Sequence, residues 1–430
     1  MSTQSSVITA VEKLNYRVTV GDVSAQSGLS LNLVQPELLN LATNTSGNLQ
    51  VSEMGEIVYV FSPQVRQILR DRNFKLKVQA WLAQVWKWVF YLIRISFGVL
   101  LVVSIAIVVI GIFAAIIALQ SRSSSDDDRN DNRSGGGFGF FPSFLWLDFG
   151  NAFAPSYYDQ PHQVRASKDS QMGFLESIFS FLFGDGNPNY DLEERRNREI
   201  SEIIRQNDGV VIAEQITPYL DEIADANANF EDYIIPVLAR FNGLPQVTEI
   251  GTLAYTFPEL QKVASSRSKS AKSRPDQYLQ EQLWKFSKAG TGKITLAIGL
   301  GIFYFVAALV LGNLLGQLSG GELGGILGLI SFSYVFLLGY SVLFLTIPLV
   351  RYFVLQGLNS KINIRNLQRS RRSQALSQPD AVINQKLELA REYAISEEVI
   401  TADNLAYTTE TDLNDQEYAK MLKQQPDQSD

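Results

Sequence analysis

Apolar positions follow two kinds of pattern along this chain. In the segments 95–119, 294–316 and 323–350 they dominate continuously, with no charged residue. At 1.5 Å per residue the first segment reaches roughly 37 Å, enough to cross a bilayer with some tilt. Three transmembrane helices are expected. Trp81, Trp86, Trp88 and Tyr91 precede the first as an interfacial aromatic belt. The turn Gln317–Glu322 is short, which makes the second and third spans antiparallel neighbours.

Elsewhere the apolar positions are periodic. Val7, Ile8, Val11 and Leu14 have helical spacing, and Val18-Thr19-Val20 is extended. A short helix stops at Gly28, and Ser30 is placed to cap a helix holding Leu33, Val34, Leu38, Leu39 and Leu41. Two β-rich pieces, Asn48–Ser52 and Glu56–Phe61, then meet at a turn where Gly55 supplies a positive φ. The order repeats later: Ile200, Ile203 and Ile204 mark a helix, Val210–Ile212 is extended, and Ala213–Leu220 and Tyr233–Phe241 read as helices. The closing hairpin is written almost in the same letters. Gln50, Val51, Glu53, Gly55, Tyr59 and Phe61 recur as Gln246, Val247, Glu249, Gly251, Tyr255 and Phe257. Helix, helix–turn–helix and hairpin is the order of a winged helix. The expected fold is a membrane α-helical protein with two soluble α+β winged-helix-like domains related by an internal repeat.

The chain divides accordingly. The first winged-helix-like domain occupies 1–70, and a basic, aromatic approach (71–94) leads to the span 95–119. A polar low-complexity linker follows (120–137), then aromatic segments (138–190) that are too short and too interrupted by acids to span. These, Phe138–Phe153 and Phe174–Phe183, read as interfacial or re-entrant. The second domain occupies 195–264, with a basic approach at 265–293. After the third span, 351–395 is a basic then mixed-charge helix, and 396–430 is an acidic tail expected to be mobile. The N-terminus has no basic region followed by an apolar core, so no signal peptide is expected. All three spans have a basic flank, which the positive-inside rule puts on one face. Three simple crossings cannot satisfy that, so the chain between the first and second spans must cross against the rule or contain a returning element.

Composition removes most chemistry. With no cysteine, thiolate metal sites, iron–sulfur clusters and Cys nucleophiles are excluded, and His162 is the single histidine. No catalytic residue, cofactor site or metal site is expected. Residues 289–295 (AGTGKIT) resemble a phosphate loop but have Ser287 and Ile294 where Gly and Ser/Thr are required. Net charge is −7, and the helix Asn32–Asn44 of the first domain carries no Lys or Arg. Such modules would be repelled by phosphate, so nucleic acid is not an expected partner. The expected partners are the lipid bilayer and other membrane or peripheral proteins. Gly312, Gly316 and Gly320, with the pairs Gly321/Gly325 and Gly324/Gly328, are spaced for close helix packing within the chain or between copies.

The expected function is that of a non-enzymatic scaffold or assembly factor. The alternatives are a membrane-tethered nucleic-acid-binding regulator, and a small-solute channel or transporter, which charge-free spans disfavour. The blocks NYRVTVGDVSAQSGL, GFLESIFSFLFGDGNPN, VVIAEQITPYLD and GLPQVTEIGTLAYTFPEL resemble a family of membrane proteins shared by cyanobacteria and chloroplasts. Some plant members carry an iron–sulfur cluster biosynthesis label, and a protease role has been attached to relatives. The absence of cysteine and of a metalloprotease motif supports neither here. The resemblance implies a photosynthetic cell and a thylakoid or plasma membrane.

Overall fold

The computed structural model describes residues 3–72, 74–123, 172–221, 231–264, 277–318, 325–401 and 404–417. Phe138–Phe153, His162, Gly320, Gly321, Gly324, most of the polar linker and the end of the acidic tail lie outside them. The described chain is mostly helical with small sheets, and three of its helices are long and apolar enough to cross a membrane. It divides into two compact units, one of residues 1–81, 189–282 and 361–430, the other of 82–188 and 283–360.

In the first unit, an N-terminal lobe runs α1 (Thr3–Lys13), β1 (Arg17–Val18), α2 (Val20–Ser27), α3 (Leu31–Thr45), β2 (Asn48–Ser52), β3 (Ile57–Val60) and α4 (Val65–Arg72). Its core gathers Val7, Val11, Val23, Val34, Leu38, Leu41, Tyr59 and Phe61. Local chemistry sets the boundaries. Thr19 and Asp22 form a reciprocal capping box that opens α2, and Gly28, at φ 78°, closes it in the left-handed region. Ser30 does stand at the start of α3, but its hydroxyl makes no capping bond; its carbonyl begins the helix by accepting from Leu33 and Val34.

The helices α5 (Phe74–Ser123) and α6 (Phe174–Phe183) come next in the chain. The second lobe of the first unit follows as α7 (Leu192–Gln206), β4 (Val210–Val211), α8 (Ala213–Ile216), α9 (Ile235–Phe241), β5 (Leu244–Val247), β6 (Leu253–Thr256) and β7 (Lys262–Val263). The helix expected over Ala213–Leu220 is shorter, giving way to a 3-10 turn at Thr217–Tyr219 that contains Pro218. Ile200, Ile204, Val211, Ile216, Phe241, Tyr255 and Phe257 fill its core. The last elements are α10 (Thr291–Leu318), α11 (Gly325–Ser377), α12 (Ala381–Arg391), β8 (Glu398–Val399) and β9 (Leu405–Thr408).

The acidic tail corrects an expectation. From residue 396 it was to be mobile, but β8 pairs in parallel with β7, and β9 pairs antiparallel with β2. The cause is a short apolar run inside an acidic stretch: Ile400 is fully buried against Val58 and Ala264, with Leu405 beside them.

The second unit is a helix bundle. Tyr304 donates to the carbonyl of Leu337 (2.7 Å) and Tyr340 to that of Phe97 (3.3 Å). Gly301 abuts Phe344, and Gly111 abuts Ile330. These pairings make α11 antiparallel to both α5 and α10. The membrane entry of α5, the start of α10 and the membrane exit of α11 therefore share one end of the bundle, where Arg94, Lys293 and Arg351 stand. The ten-residue α6 lies across that same end. Arg94 bonds Asp185, past its C-terminus, at 2.8 Å, and also reaches Met172, before its N-terminus. Lys293 donates to the carbonyl of Met172, and the Lys288 amide donates to Asp185 at 2.8 Å. With both ends at one level and a length of only about 15 Å, α6 cannot be a crossing element. Arg351 caps it, donating to the carbonyls of Ser180 and Phe181 and lying 4.8 Å over the Phe286 ring.

The continuation of α11 belongs to the first unit and is held there by charge. Arg365 grips the carboxylate of Glu281 with two bonds, at 2.8 and 2.6 Å. Arg369, fully buried, pairs with Glu281 at 2.8 Å and with Asp221. Asn366 brackets the Glu281 backbone through both its amide atoms, each at 2.9 Å.

Two outcomes follow. The hydrogen bond from Arg365, with the charge of Arg369, holds the Glu281 carboxyl below its ordinary value against the opposing effect of burial. Its stabilisation is complete above the unfolded-state value and lost as pH falls through the folded one. Acid unfolding followed by circular dichroism should move to lower pH in Glu281→Gln relative to its own neutral-pH stability. Secondly, the two lobes share one packed unit, so both must face the same side of a membrane. In this cysteine-free chain, single cysteines at exposed Leu33 and Ile235 should label from the same side of sealed vesicles. Labelling from opposite sides would contradict the packing.

Candidate functional site: the two hairpins and the seam between the lobes

The residues that recur in the sequence sit in two hairpins with the same strand register. In the first, Asn48 pairs with Val60, Leu49 with Tyr59, Gln50 with Val58 and Val51 with Ile57. In the second, Leu244 pairs with Thr256, Pro245 with Tyr255, Gln246 with Ala254 and Val247 with Leu253. The turns match as well. The amides of Ser52 and Thr248 each donate to the carbonyl four residues on at 2.8 Å, and those of Gly55 and Gly251 each donate back at 2.9 Å. Both glycines have positive φ, 86° and 79°, which a tight turn requires. Gly47 and Gly243 sit under the rings of Phe61 and Phe257 with no room for a Cβ.

Side chains at matching positions differ in what they do. Tyr59 is buried and stacks on Phe61, ring centroids 6.4 Å apart. Tyr255 donates to Glu231 at 2.6 Å, and burial, then that bond, raises its hydroxyl pKa. Gln50 accepts from Arg17 at 3.0 Å. Val51 pairs with Tyr407 of β9, whereas Val247 is 66% exposed and its carbonyl accepts from Tyr393 at 3.1 Å. The first hairpin is thus the inner part of a four-stranded sheet, order β1-β3-β2-β9, and the second is the outer part of a three-stranded one, order β4-β6-β5. Glu53 donates its amide to Asn404, while Glu249 is exposed.

The seam between the lobes centres on Asp22, which is 3% exposed. One carboxylate oxygen accepts from the amides of Ala264 (2.9 Å) and Thr19 (3.3 Å), and the other pairs with Arg205 at 3.2 Å. Asn197 donates to the Gly28 carbonyl at 3.0 Å, and Thr19 to that of Lys262 at 2.8 Å. Lys262 bridges Glu56 of the first hairpin (2.5 Å) and Glu259 (3.1 Å). The backbone of α2 lies so close to the carbonyl of Glu259 that only glycine fits at position 21. Sequence reasoning missed Asp22, although Thr19-x-x-Asp22 is itself a capping signature. It also missed β9, whose Leu-Ala-Tyr-Thr repeats the letters of β6.

The glycine row of the spans is met only in part. Gly312 abuts the Tyr334 hydroxyl and Gly328 is half-buried, but a Cβ at Gly316 or Gly325 would meet nothing within 4 Å among the described residues. The close approaches that four-residue spacing did not reveal are Gly98, whose Cβ would stand 2.7 Å from the Leu175 Cα, and Gly301, 2.7 Å from the Phe344 ring. Among the described residues, no group of three or more His, Cys, Asp and Glu could hold a metal.

The seam generates a graded prediction. Asp22→Ala leaves two buried amides and the Arg205 guanidinium without their acceptor and should cost about 3 kcal/mol. Asp22→Asn keeps an acceptor, loses the charge, and should cost about half as much. Denaturant unfolding of the detergent-solubilised chain would rank them.

Against known proteins, an Arabidopsis thaliana protein, "Uncharacterized protein At5g03900, chloroplastic", is 37% identical over 425 residues, covering 95% of this chain and 79% of the relative. No family model and no solved structure matches. A likeness of this extent runs through both lobes and all three long helices, and the chain belongs to the family of that chloroplastic protein.

Proposed function

We propose that this chain is a non-enzymatic scaffold or assembly factor for membrane complexes of a photosynthetic cell. In this reading the two lobes are copies of one winged-helix-like module, and they bind other proteins. The matching hairpin registers, turns and ring-covered glycines support the duplication. The chloroplastic relative supports a photosynthetic setting, and a thylakoid or plasma membrane of a cyanobacterium is the proposed location.

The observation that carries the protein-binding reading is the outward face of α3. Asn32, Leu33, Gln35, Pro36, Leu39 and Asn40 are exposed, and none is basic. A helix that enters a nucleic-acid groove needs Lys or Arg to neutralise phosphates. Two exposed leucines flanked by amides suit a protein surface instead. In the second lobe, α9 exposes Ile235, Pro236 and Ala239.

An affinity-tagged chain purified from solubilised membranes should retain a reproducible set of membrane or peripheral proteins. Leu33→Asp with Leu39→Asp should lose part of that set while the chain still enters the membrane. Recovery of no reproducible partner, or the same set from the double variant, would remove this reading.

A further inference from the structure

The seam uses one face of the first lobe, around α2, and the matching face of the second lobe opens on a cleft. Strand pairing fixes the match. Arg17 and Val18 lie against Val60 and Tyr59, as Val210 and Val211 lie against Thr256 and Tyr255. At the helix that follows, Asp22 accepts from the Thr19 amide (3.3 Å), and Gln215 accepts from the Ile212 amide in the same way (3.0 Å). Gln215 therefore stands where Asp22 stands, Val210 where Arg17 stands and Pro218 where Ala25 stands. In the first lobe this face holds an extended piece of main chain. Thr19 donates to the carbonyl of Lys262 (2.8 Å), Arg17 donates to that of Ala264, and Asp22 accepts from the Ala264 amide (2.9 Å). All three bonds read backbone rather than side chains.

The two faces part at one position. Gly21 lets the Glu259 carbonyl pack directly on α2. Its counterpart is Glu214, which leaves no room for such an approach and holds Lys386 of α12 at 2.7 Å instead. The remaining space is a cleft of about 500 Å³ walled by α7, α8 and α12. That volume lies within the roughly 300–1,000 Å³ of ligand sites. Four carboxamides line it, from Gln206, Asn207, Gln215 and Gln277, with an apolar part that includes Ile203, Tyr219 and Leu387. A carboxamide is a peptide group carried on a side chain: it donates and accepts, so it can pair with a backbone N–H or C=O. Gln215 uses one acceptor site on Ile212 and one donor on Asn207 (3.1 Å), and has another of each. The charged groups of the lining are one carboxylate and one guanidinium, Asp208 and Arg391, both exposed, so the cleft selects no net charge.

We propose that this cleft binds an extended peptide segment of a partner protein. Its main chain pairs with the carboxamides, and an apolar side chain rests on the part formed by Ile203, Tyr219 and Leu387. The occupant is a peptide because the matching face of the first lobe already holds one, and because the lining answers a backbone rather than a charged or wholly apolar ligand. The inference rests on the reading of the lobes as copies of one protein-binding module, and it names where the second copy binds.

The probe is the seam segment itself as a free peptide, residues 258–264 (Pro-Glu-Leu-Gln-Lys-Val-Ala), blocked at both ends. The chain has no cysteine, so Ala394→Cys, at an exposed wall of the cleft, can carry an environment-sensitive fluorophore in the solubilised full chain. The peptide is expected to shift its emission saturably, while the same label at Val382→Cys, exposed on α12 and outside the cleft, stays silent. N-methylation of the peptide's Val and Ala amides should weaken binding several-fold, an effect that owes nothing to the folding of the protein. Gln206→Ala with Gln277→Ala should weaken it to a similar degree. Main-chain recognition depends little on sequence, so absence of a saturable shift overturns the proposal. Equal binding of the N-methylated peptide overturns it as well, and would make the cleft a site for apolar groups alone. Unchanged affinity in the double variant removes the carboxamides and the proposal with them. In each case partners retained in the pull-down, and lost from Leu33→Asp with Leu39→Asp, would leave the scaffold reading standing on α3.

Discussion

The first unit depends on one buried carboxylate. Asp22 sits at the third position of a short helix, where its side chain closes the capping box, and from there it reaches the amide of Ala264 and the guanidinium of Arg205. These partners come from the residue that follows β7 and from the first helix of the second lobe. A charge buried at 3% exposure is tolerable only when its oxygens are fully bonded. The requirement ties the lobes together: they cannot separate without stranding the carboxylate. The surrounding ties, Asn197 to Gly28 and Thr19 to Lys262, need the same alignment.

The sequence was most legible where local rules operate. Residue spacing marked the hairpins, Gly55 and Gly251 marked their turns, and charge-free runs marked the three long helices. It was least legible where a side chain acts at long range. Arg365, Arg369 and Arg351 read as a basic flank, and composition cannot tell a flank from a clamp. Two of them neutralise Glu281, and the third caps the carbonyls of α6. Acidic content likewise hid the tail strands, because a few apolar residues such as Ile400 and Leu405 decide pairing there, against the charge around them. The glycine row was legible only in part for a related reason. Spacing by four predicts which glycines share a helix face, but not which face meets a neighbour, and the tight approaches fell at Gly98 and Gly301.

The puzzle of three basic flanks and an odd number of crossings takes a different form in the structure. The membrane entry of α5, the start of α10 and the membrane exit of α11 share one end of the bundle, with α6 laid across it. Ser123 ends α5 at the other end, while Met172 stands beside Arg94 and Lys293. The flanks agree with one another without α6 serving as a crossing.

The position of β9 in the chain also gives assembly an order in time. The core of the first lobe is complete once residue 69 has been made, because every member of its cluster lies between Val7 and Leu69. Its last strand is more than three hundred residues away, beyond all three long helices. At ribosomal rates of about 5–20 residues per second, that separation is roughly 20–70 s. For that interval a nascent chain displays a folded lobe with an open β2 edge before its own tail exists.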